Sequence, residues 1–371
     1  MAFRMQESAS DVAAQGRLSR RSLLAIAGVF GTSVPLAMLE GAHALTLLGA
    51  SPPDPLGDGL ICRAAATGES VGGPPRRLTL AWNASSICTT AAPVAKERGF
   101  FAQHNLDVDF INYGGSTEQL LEAIATGKAD AGIGMALRWL KPLEQGFDVR
   151  ITAGVHGGCI RLLGSKPAKI TTLESLRGKA VGISDQASPA KNFVSIALMK
   201  KGIDPIKDIE WRQYPAEVLP LAVSKGEVDA IADNDPRTYL WLKEGNLNEV
   251  LTNLAGEFRE RTCCLLAIRG NLVREDRAVA AALTRSILEA ADLISRNPAD
   301  AAAVYASYGG RGPLDDLAAM LRSHTHHHHP VGAALKKEIS VYADELKLVH
   351  VIKPGVDSAK FAERIVAEVL T

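Results

Sequence analysis

The chain has 371 residues, nearly half of them apolar and few aromatic, with 41 Lys and Arg against 41 Asp and Glu. That length and composition favour two domains of ordinary size in a soluble α/β protein. The balanced charge supplies no net field to recruit nucleic acid or an anionic membrane. The five cysteines are too few for a disulfide scaffold, though enough for one bridge, a thiol site or a metal site.

A mostly polar stretch to residue 18 precedes Ser19-Arg20-Arg21-Ser22-Leu23-Leu24, an apolar run to Leu39 and Ala42-His43-Ala44. Paired arginines, a moderately apolar core and small residues at the cleavage site predict a twin-arginine export signal over 1–44, cleaved after Ala44. The apolar run is marginal for a membrane span and contains Gly and Pro. Residues 45–76 are rich in Gly, Pro, Ala and Ser and read as a flexible lead-in holding Cys62. No cysteine stands at the cleavage site, so a lipid anchor is not expected and the location is periplasmic.

The fold is predicted to begin with strand 78–82, followed by a loop over 83–90, helix 91–103 and strand 108–112. Tyr113-Gly114-Gly115-Ser116 leads to Gln119 in a capping-box pattern, so the next helix starts there. Strand 131–134, a helix through Trp139 and strand 149–154 come next. His156-Gly157-Gly158-Cys159 interrupts the alternation, and the apolar run 160–164 follows with no helix between. A short helix capped by Thr171-Thr172-Leu173-Glu174, a strand ending at 183, helix 189–201 with Ser188-Pro189 as cap and first residue, strand 209–214 and helix 217–225 continue the series. One more strand at 261–269 precedes a mainly helical remainder. Strands alternating with helices imply parallel sheets covered on both faces.

One phrase occurs twice. Leu120–Gly134 (LLEAIATGKADAGIG) returns as Leu219–Asp233 (LPLAVSKGEVDAIAD). Each copy is an apolar helix ending at a glycine (Gly127, Gly226), suited to a positive φ, before Asp-Ala opens a buried strand. Two copies at this spacing suggest two lobes of like topology with something held between them.

The chain resembles periplasmic solute-binding proteins of ABC transporters, in the nitrate/sulfonate/taurine-binding and thiamin-precursor superfamily. The resemblance is carried by PVAKERGFFAQHNLDVDF (93–110), the Gly-Gly-Ser-Thr loop at 114–117, GKADAGIG (127–134), TTLESLRGKAVGI (171–183) and GEVDAIAD (226–233). It implies two α/β lobes in a type II periplasmic-binding-protein fold, with parallel-rich sheets joined by two crossover strands near 159–164 and 263–268. Lobe one would be 77–158 plus 262–371, and lobe two 159–261.

Ligands in open α/β sheets meet the carboxyl ends of strands, where helix N-termini present unpaired N–H groups. That rule selects Asn83, Ser86 and Cys88; Gly115, Ser116 and Thr117; Arg138; His156 and Cys159; Ser184, Gln186 and Ser188; and Asp233 and Asp235. Helix capping is the competing reading for the hydroxyls at 116–117 and 184–188 and for both aspartates. Arg138 would pair with an oxyanion, or lie solvated on a helix. The set has mixed charge and does not name the ligand.

Cys88, Cys159 and the Cys263-Cys264 pair fall at the first strand–helix loop or on the implied crossovers. Side-by-side crossovers would put Cys159 within reach of Cys263 or Cys264, and strand alternation would send only one of that pair into the cleft. Buried structural thiols, a periplasmic disulfide, and a thiolate/imidazole site for a soft metal using His156, Cys159 and Cys88 all remain open. Ser323-His324-Thr325-His326-His327-His328-His329-Pro330 adds a histidine run. It is either a solvated loop, or a chelator of Cu, Ni or Zn through His326, His327, His328 and His329, or a pH-sensitive gate at the cleft rim.

The leading expectation is a non-enzymatic, monomeric binding protein that closes two lobes on a small solute and delivers it to an inner-membrane permease. The solute would be an oxyanion, a small organic acid, or a metal or metal complex. The alternatives are an enzyme related to thiamin-pyrimidine synthase and a periplasmic ligand-sensing module. No phosphate loop, spaced zinc-hydrolase motif or nucleophile–base–orienter set is found.

Overall fold

The computed structural model describes residues 71–113 and 117–370, with only the backbone described at Thr117 and Glu118. The expected signal 1–44, most of the lead-in 45–76 with Cys62, and the ligand candidates Gly115 and Ser116 lie outside the described residues. No helix among the described residues is long and apolar enough to cross a membrane.

Two five-stranded sheets carry the fold, with helices packed on them. The first is built from β1 (Arg76–Trp82), β2 (Leu106–Asn112), β3 (Ala131–Met135), β4 (Val149–His156) and β10 (Cys264–Arg269), in the order β2-β1-β3-β10-β4. The second contains β5 (Ile160–Ser165), β6 (Lys179–Ile183), β7 (Ile209–Gln213), β8 (Ala230–Asn234) and β9 (Leu247–Thr252), in the order β7-β6-β8-β5-β9. The two orders are the same pattern. In each sheet four strands point the same way, three of them paired side by side, and the fifth inserts antiparallel between two of the four: β10 between β3 and β4, and β5 between β8 and β9. The sheets are therefore mixed, with parallel pairing confined to the repeated βαβ part.

The repeated phrase explains itself at atomic level. Gly127 and Gly226 end their helices at φ +77° and +70°, a conformation that a Cβ disfavours. The aspartate three residues on then ties its strand to the neighbouring one. Asp130 donates its N–H to the Thr79 carbonyl (2.7 Å), and its carboxylate accepts from the Thr79 N–H (2.9 Å). Asp229 does the same with Ala180, at 2.8 and 3.0 Å. One bidentate clasp is used twice, once in each sheet.

Three local expectations are corrected. The helix expected over 91–103 is two, Ala91–Glu97 and Phe100–Gln103, because Gly99 between them takes φ +74°. The strand expected from Arg261 begins at Cys264, so Cys263 precedes regular pairing. Strand β9 was not anticipated: its Leu-Asn-Glu-Val-Leu-Thr alternates weakly and is only half-buried apart from Leu247.

Candidate functional site

The carboxyl ends of the first sheet's strands gather the cysteines. Cys88 lies in the short turn Ile87–Thr89 after β1, Cys159 stands between β4 and β5, Cys263 immediately precedes β10 and Cys264 opens it. All four are buried free thiols. The sulfurs of Cys88, Cys159 and Cys264 lie within 4.8 Å of one another, and Cys159 Sγ is 3.8 Å from Cys263 Sγ. Cys263 and Cys264 both reach Cys159, against the expectation that alternation would separate them. Alternation does not hold there, since Cys263 is outside the strand and the β10–β4 register shifts between Cys264 and Leu265.

The thiols titrate as a set. Contact with Cys159, and then with Cys264, lowers the Cys88 thiol to about 6 in spite of burial. Cys159, in contact with Cys263, Cys264 and Cys88 and fully buried, is held well above the ordinary thiol range.

Beside the thiols stands a second cluster. His156 ends β4 directly opposite Cys264 of β10, and on the other side of Cys264 its β3 partner is Met135. Cross-strand partners share a face, so Cys264 and His156 lie side by side on adjacent strands. His324 and His326 reach His156 from the segment after helix Leu314–Ser323. One ring nitrogen from each of these three histidines lies within 4.8 Å of the other two, and all three residues are buried.

Two features bring that segment in. His324 has extended backbone (φ −77°, ψ 157°), so residues 324 and 326 face one way. Gly157 leaves it room: a Cβ on Gly157 would stand 2.4 Å from Thr325 Cβ, and the Gly157 N–H instead donates to the Thr325 carbonyl (3.0 Å). The histidine run is thereby divided. His326 joins the cluster, His327 is exposed beside Glu260, His328 bonds Glu338, and neither ring nitrogen of half-buried His329 has a hydrogen-bond partner.

The imidazoles are oriented from outside the cluster. His324 Nε2 meets Asp235 Oδ2 at 2.9 Å, and His326 Nε2 meets the Leu321 carbonyl at 2.6 Å. A carbonyl only accepts, so His326 donates from Nε2 and keeps the Nδ1 lone pair; the Asp235 carboxylate selects the same tautomer at His324. Burial, then the neighbouring imidazoles of His324 and His326, hold His156 well below the ordinary histidine range. Burial, with His324 beside it, takes His326 down to about 3. His156 and His326 are therefore neutral.

Asp235 is fully buried and completely satisfied. It accepts two bonds from Arg161 (both 3.1 Å), one from the Thr238 hydroxyl (2.5 Å) and one from the Tyr239 N–H (3.0 Å), besides His324. Burial acts to raise its pKa, but the His324 and Arg161 interactions outweigh it and bring the carboxyl to about 2. Arg161 also bonds Glu249.

The other sequence candidates spread along the same junction. Asn83 closes its own loop by accepting from the Ser85 N–H (2.9 Å), and buried Ser86 accepts from Asn234 Nδ2 (3.4 Å), a contact between the two sheets' segments. Arg138 is paired with Asp185, and Asn192 donates to the Leu137 carbonyl (2.9 Å), two further such contacts. Ser188 caps helix Pro189–Lys200 by accepting from Lys191 N (3.1 Å). Gln186 is exposed and accepts from Lys191, Ser184 is half-buried, and Asp233 is held by Arg237 at 2.7 and 2.9 Å. Cys88, His156, Cys159 and Asp235 thus belong to one connected cluster. Cys264, His324 and Arg161 join them, and only Arg161 had a sequence signal that was passed over: a lone charge inside an apolar strand.

Sequence comparison places the chain. The family model described as NMT1/THI5 like matches residues 89–301. The chain belongs to the NMT1/THI5-like family. No curated protein matches its sequence. Among solved structures, the alkanesulfonate-binding protein SsuA from Xanthomonas axonopodis pv. citri bound to MOPS is similar, with 18% identity and TM-score 0.64 over 80% of this chain and 100% of that one. The periplasmic nitrate-binding protein NrtA from Synechocystis PCC 6803 matches at 14% identity and TM-score 0.67, over 81% and 88% of the two chains. The ligand-binding component of an ABC-type import system from Staphylococcus aureus with zinc bound matches at 14% and 0.63, over 80% and 97%. The fold is that of periplasmic binding proteins, and these neighbours are binding proteins rather than enzymes.

Proposed function

We propose that this chain is the exported solute-binding component of an ABC-type uptake system. It captures a small solute between the halves built on its two sheets and delivers it, as a monomer and without catalysis, to an inner-membrane permease. A twin-arginine signal cleaved after Ala44 would take the folded protein to the periplasm. The halves would be residues 77–158 with 262–371, and residues 159–261.

One observation carries the reading. Two sheets of the same strand order meet at a junction where polar, thiol and imidazole side chains from both are buried together. In proteins of this architecture closure around a ligand is the working motion, and the contacts Ser86–Asn234, Arg138–Asp185 and Asn192–Leu137 are of the kind that closure would make. Similarity to sulfonate-, nitrate- and import-related binding proteins supports the same function, while leaving the solute among oxyanions, small organic acids and metals.

The reading is tested by thermal unfolding of the purified mature protein against a panel of oxyanions, sulfonates, carboxylates and metal ions, beside solute uptake by cells lacking the gene. A solute that raises Tm in a concentration-dependent way, and whose uptake the deletion abolishes, is expected. No stabilising solute in the whole panel, with uptake unimpaired, would contradict it.

A further inference from the structure

We propose that the solute is a thiophilic d10 metal ion, Cu(I) or Zn(II), held where Cys88, Cys159 and Cys264 converge beside His156, His324 and His326. This deepens the solute-binding reading and rests on it.

The donor geometry comes first. A metal bound by thiolates at roughly 2.3 Å needs its sulfurs about 4 Å apart. The three thiols already lie within 4.8 Å of one another, and the imidazole nitrogens of the adjacent set within the same limit, so closure on an ion needs side-chain adjustment alone.

The second observation is independent of the thiols. Histidines that ligate metals donate their other ring N–H to a carboxylate or a backbone carbonyl, which aims the free lone pair at the ion. His324 and His326 are held in this way, by Asp235 and by the Leu321 carbonyl. Both turn Nδ1 lone pairs inward, yet only the His156–His324 contact (3.0 Å) uses one of them. On the buried His156 ring, Nδ1 has no hydrogen-bond partner.

The third is the chemistry of what surrounds the cluster. Hard cations need several oxygen ligands, and neither triad contains one. The nearest carboxylate, Asp235, is saturated by Arg161, Thr238 and Tyr239. An oxyanion would need a cation, but Arg161 is paired with Asp235 and Glu249, and Arg138 with Asp185. Thiolates with imidazoles select copper and zinc among the first-row ions.

The donors also come from different parts of the fold. Cys88, His156 and Cys264 belong to the first sheet's segments, Cys159 leads into the second, and the His324 segment is clasped by Asp235 at the end of β8. Closing the halves brings Asp235, held by Arg161, onto His324, and opening them would free that imidazole, which couples binding to closure.

The test uses mature protein, reduced and freed of metal, titrated with Cu(I) and with Zn(II) against competing chelators. Alkanesulfonates and nitrate are run in parallel by thermal shift. One tightly held ion per chain is expected, with near-ultraviolet sulfur-to-copper absorption. Cys159→Ser and Cys264→Ser would each lower affinity at least a hundredfold, and His324→Gln at least tenfold, while exposed His327→Ala changes nothing. Circular dichroism checks that each variant folds; should a serine variant not fold, the wild-type absorption decides. Absence of that absorption at saturation, or loss of binding with His327→Ala, overturns the proposal. Stabilisation by a sulfonate or nitrate without metal binding overturns it too, but leaves the solute-binding function standing. Silence from every ligand overturns both.

Discussion

His156 Nε2 lies 3.0 Å from His324 Nδ1, although 168 positions separate them in the chain. The contact exists because Gly157 lets the Thr325 backbone lie directly on the end of β4. A methyl group on Gly157 would meet Thr325 Cβ at 2.4 Å and its carbonyl oxygen at 2.9 Å, and backbone cannot swing aside as a flexible side chain can. Gly157→Ala should therefore cost about 1–3 kcal/mol in urea unfolding and weaken Cu(I) binding. Gly355→Ala, which meets nothing within 4 Å, should leave both unchanged.

The buried Arg161–Asp235 pair holds His324 in place, so it links the stability of the second sheet to the site. Arg161→Met removes the cation and leaves a fully buried carboxylate with less compensation. A loss of about 3–5 kcal/mol is expected from breaking such a pair, measured by chemical denaturation. A loss under about 1 kcal/mol would mean that His324, Thr238 and Tyr239 suffice to hold the charge.

The duplicated aspartate clasp should behave as a pair with one difference. Asp130→Ala and Asp229→Ala each strip an acceptor from a neighbouring strand N–H, at about 1–3 kcal/mol. Asp130 also bonds Arg269 at 2.8 Å, whereas Asp229 has only Lys179 at 3.8 Å. Thermal melts should therefore place Asp130→Ala below Asp229→Ala. The reverse order would deny that the Arg269 contact matters.

How far this was legible in the sequence follows from the range of each signal. The repeat, the two-sheet architecture and the strand-end positions of Cys88, His156 and Cys159 were readable because periodicity, glycine punctuation and the strand-end rule are local. The division of the histidine run was not, since the inward turn of His324 and His326 depends on Gly157, far back in the chain, and on an acceptor at Asp235. Alternation misled at Cys263, which lies one residue before the strand starts. The antiparallel insertion of β5 and β10 was also hidden: their apolar runs read alike in either direction, and only long-range pairing decides it.

Cys159 and Cys263 stand 3.8 Å apart, sulfur to sulfur. In metal-free protein the oxidant diamide should link these two thiols, taking up the two electrons and two protons they release, and peptide mapping would locate the bond. Zn(II) bound to Cys159 should protect them, since the ligated thiolate is withdrawn from attack. A link between other cysteines, or equal oxidation with and without zinc, would count against the thiol geometry.

The most direct test of the account is X-ray absorption at the copper edge of Cu(I)-loaded protein carrying its native histidine run. A shell dominated by sulfur at roughly 2.2–2.3 Å, with a minor imidazole contribution, is predicted. A shell of nitrogen and oxygen alone would take the metal off the thiols and contradict an ion held where Cys88, Cys159 and Cys264 converge.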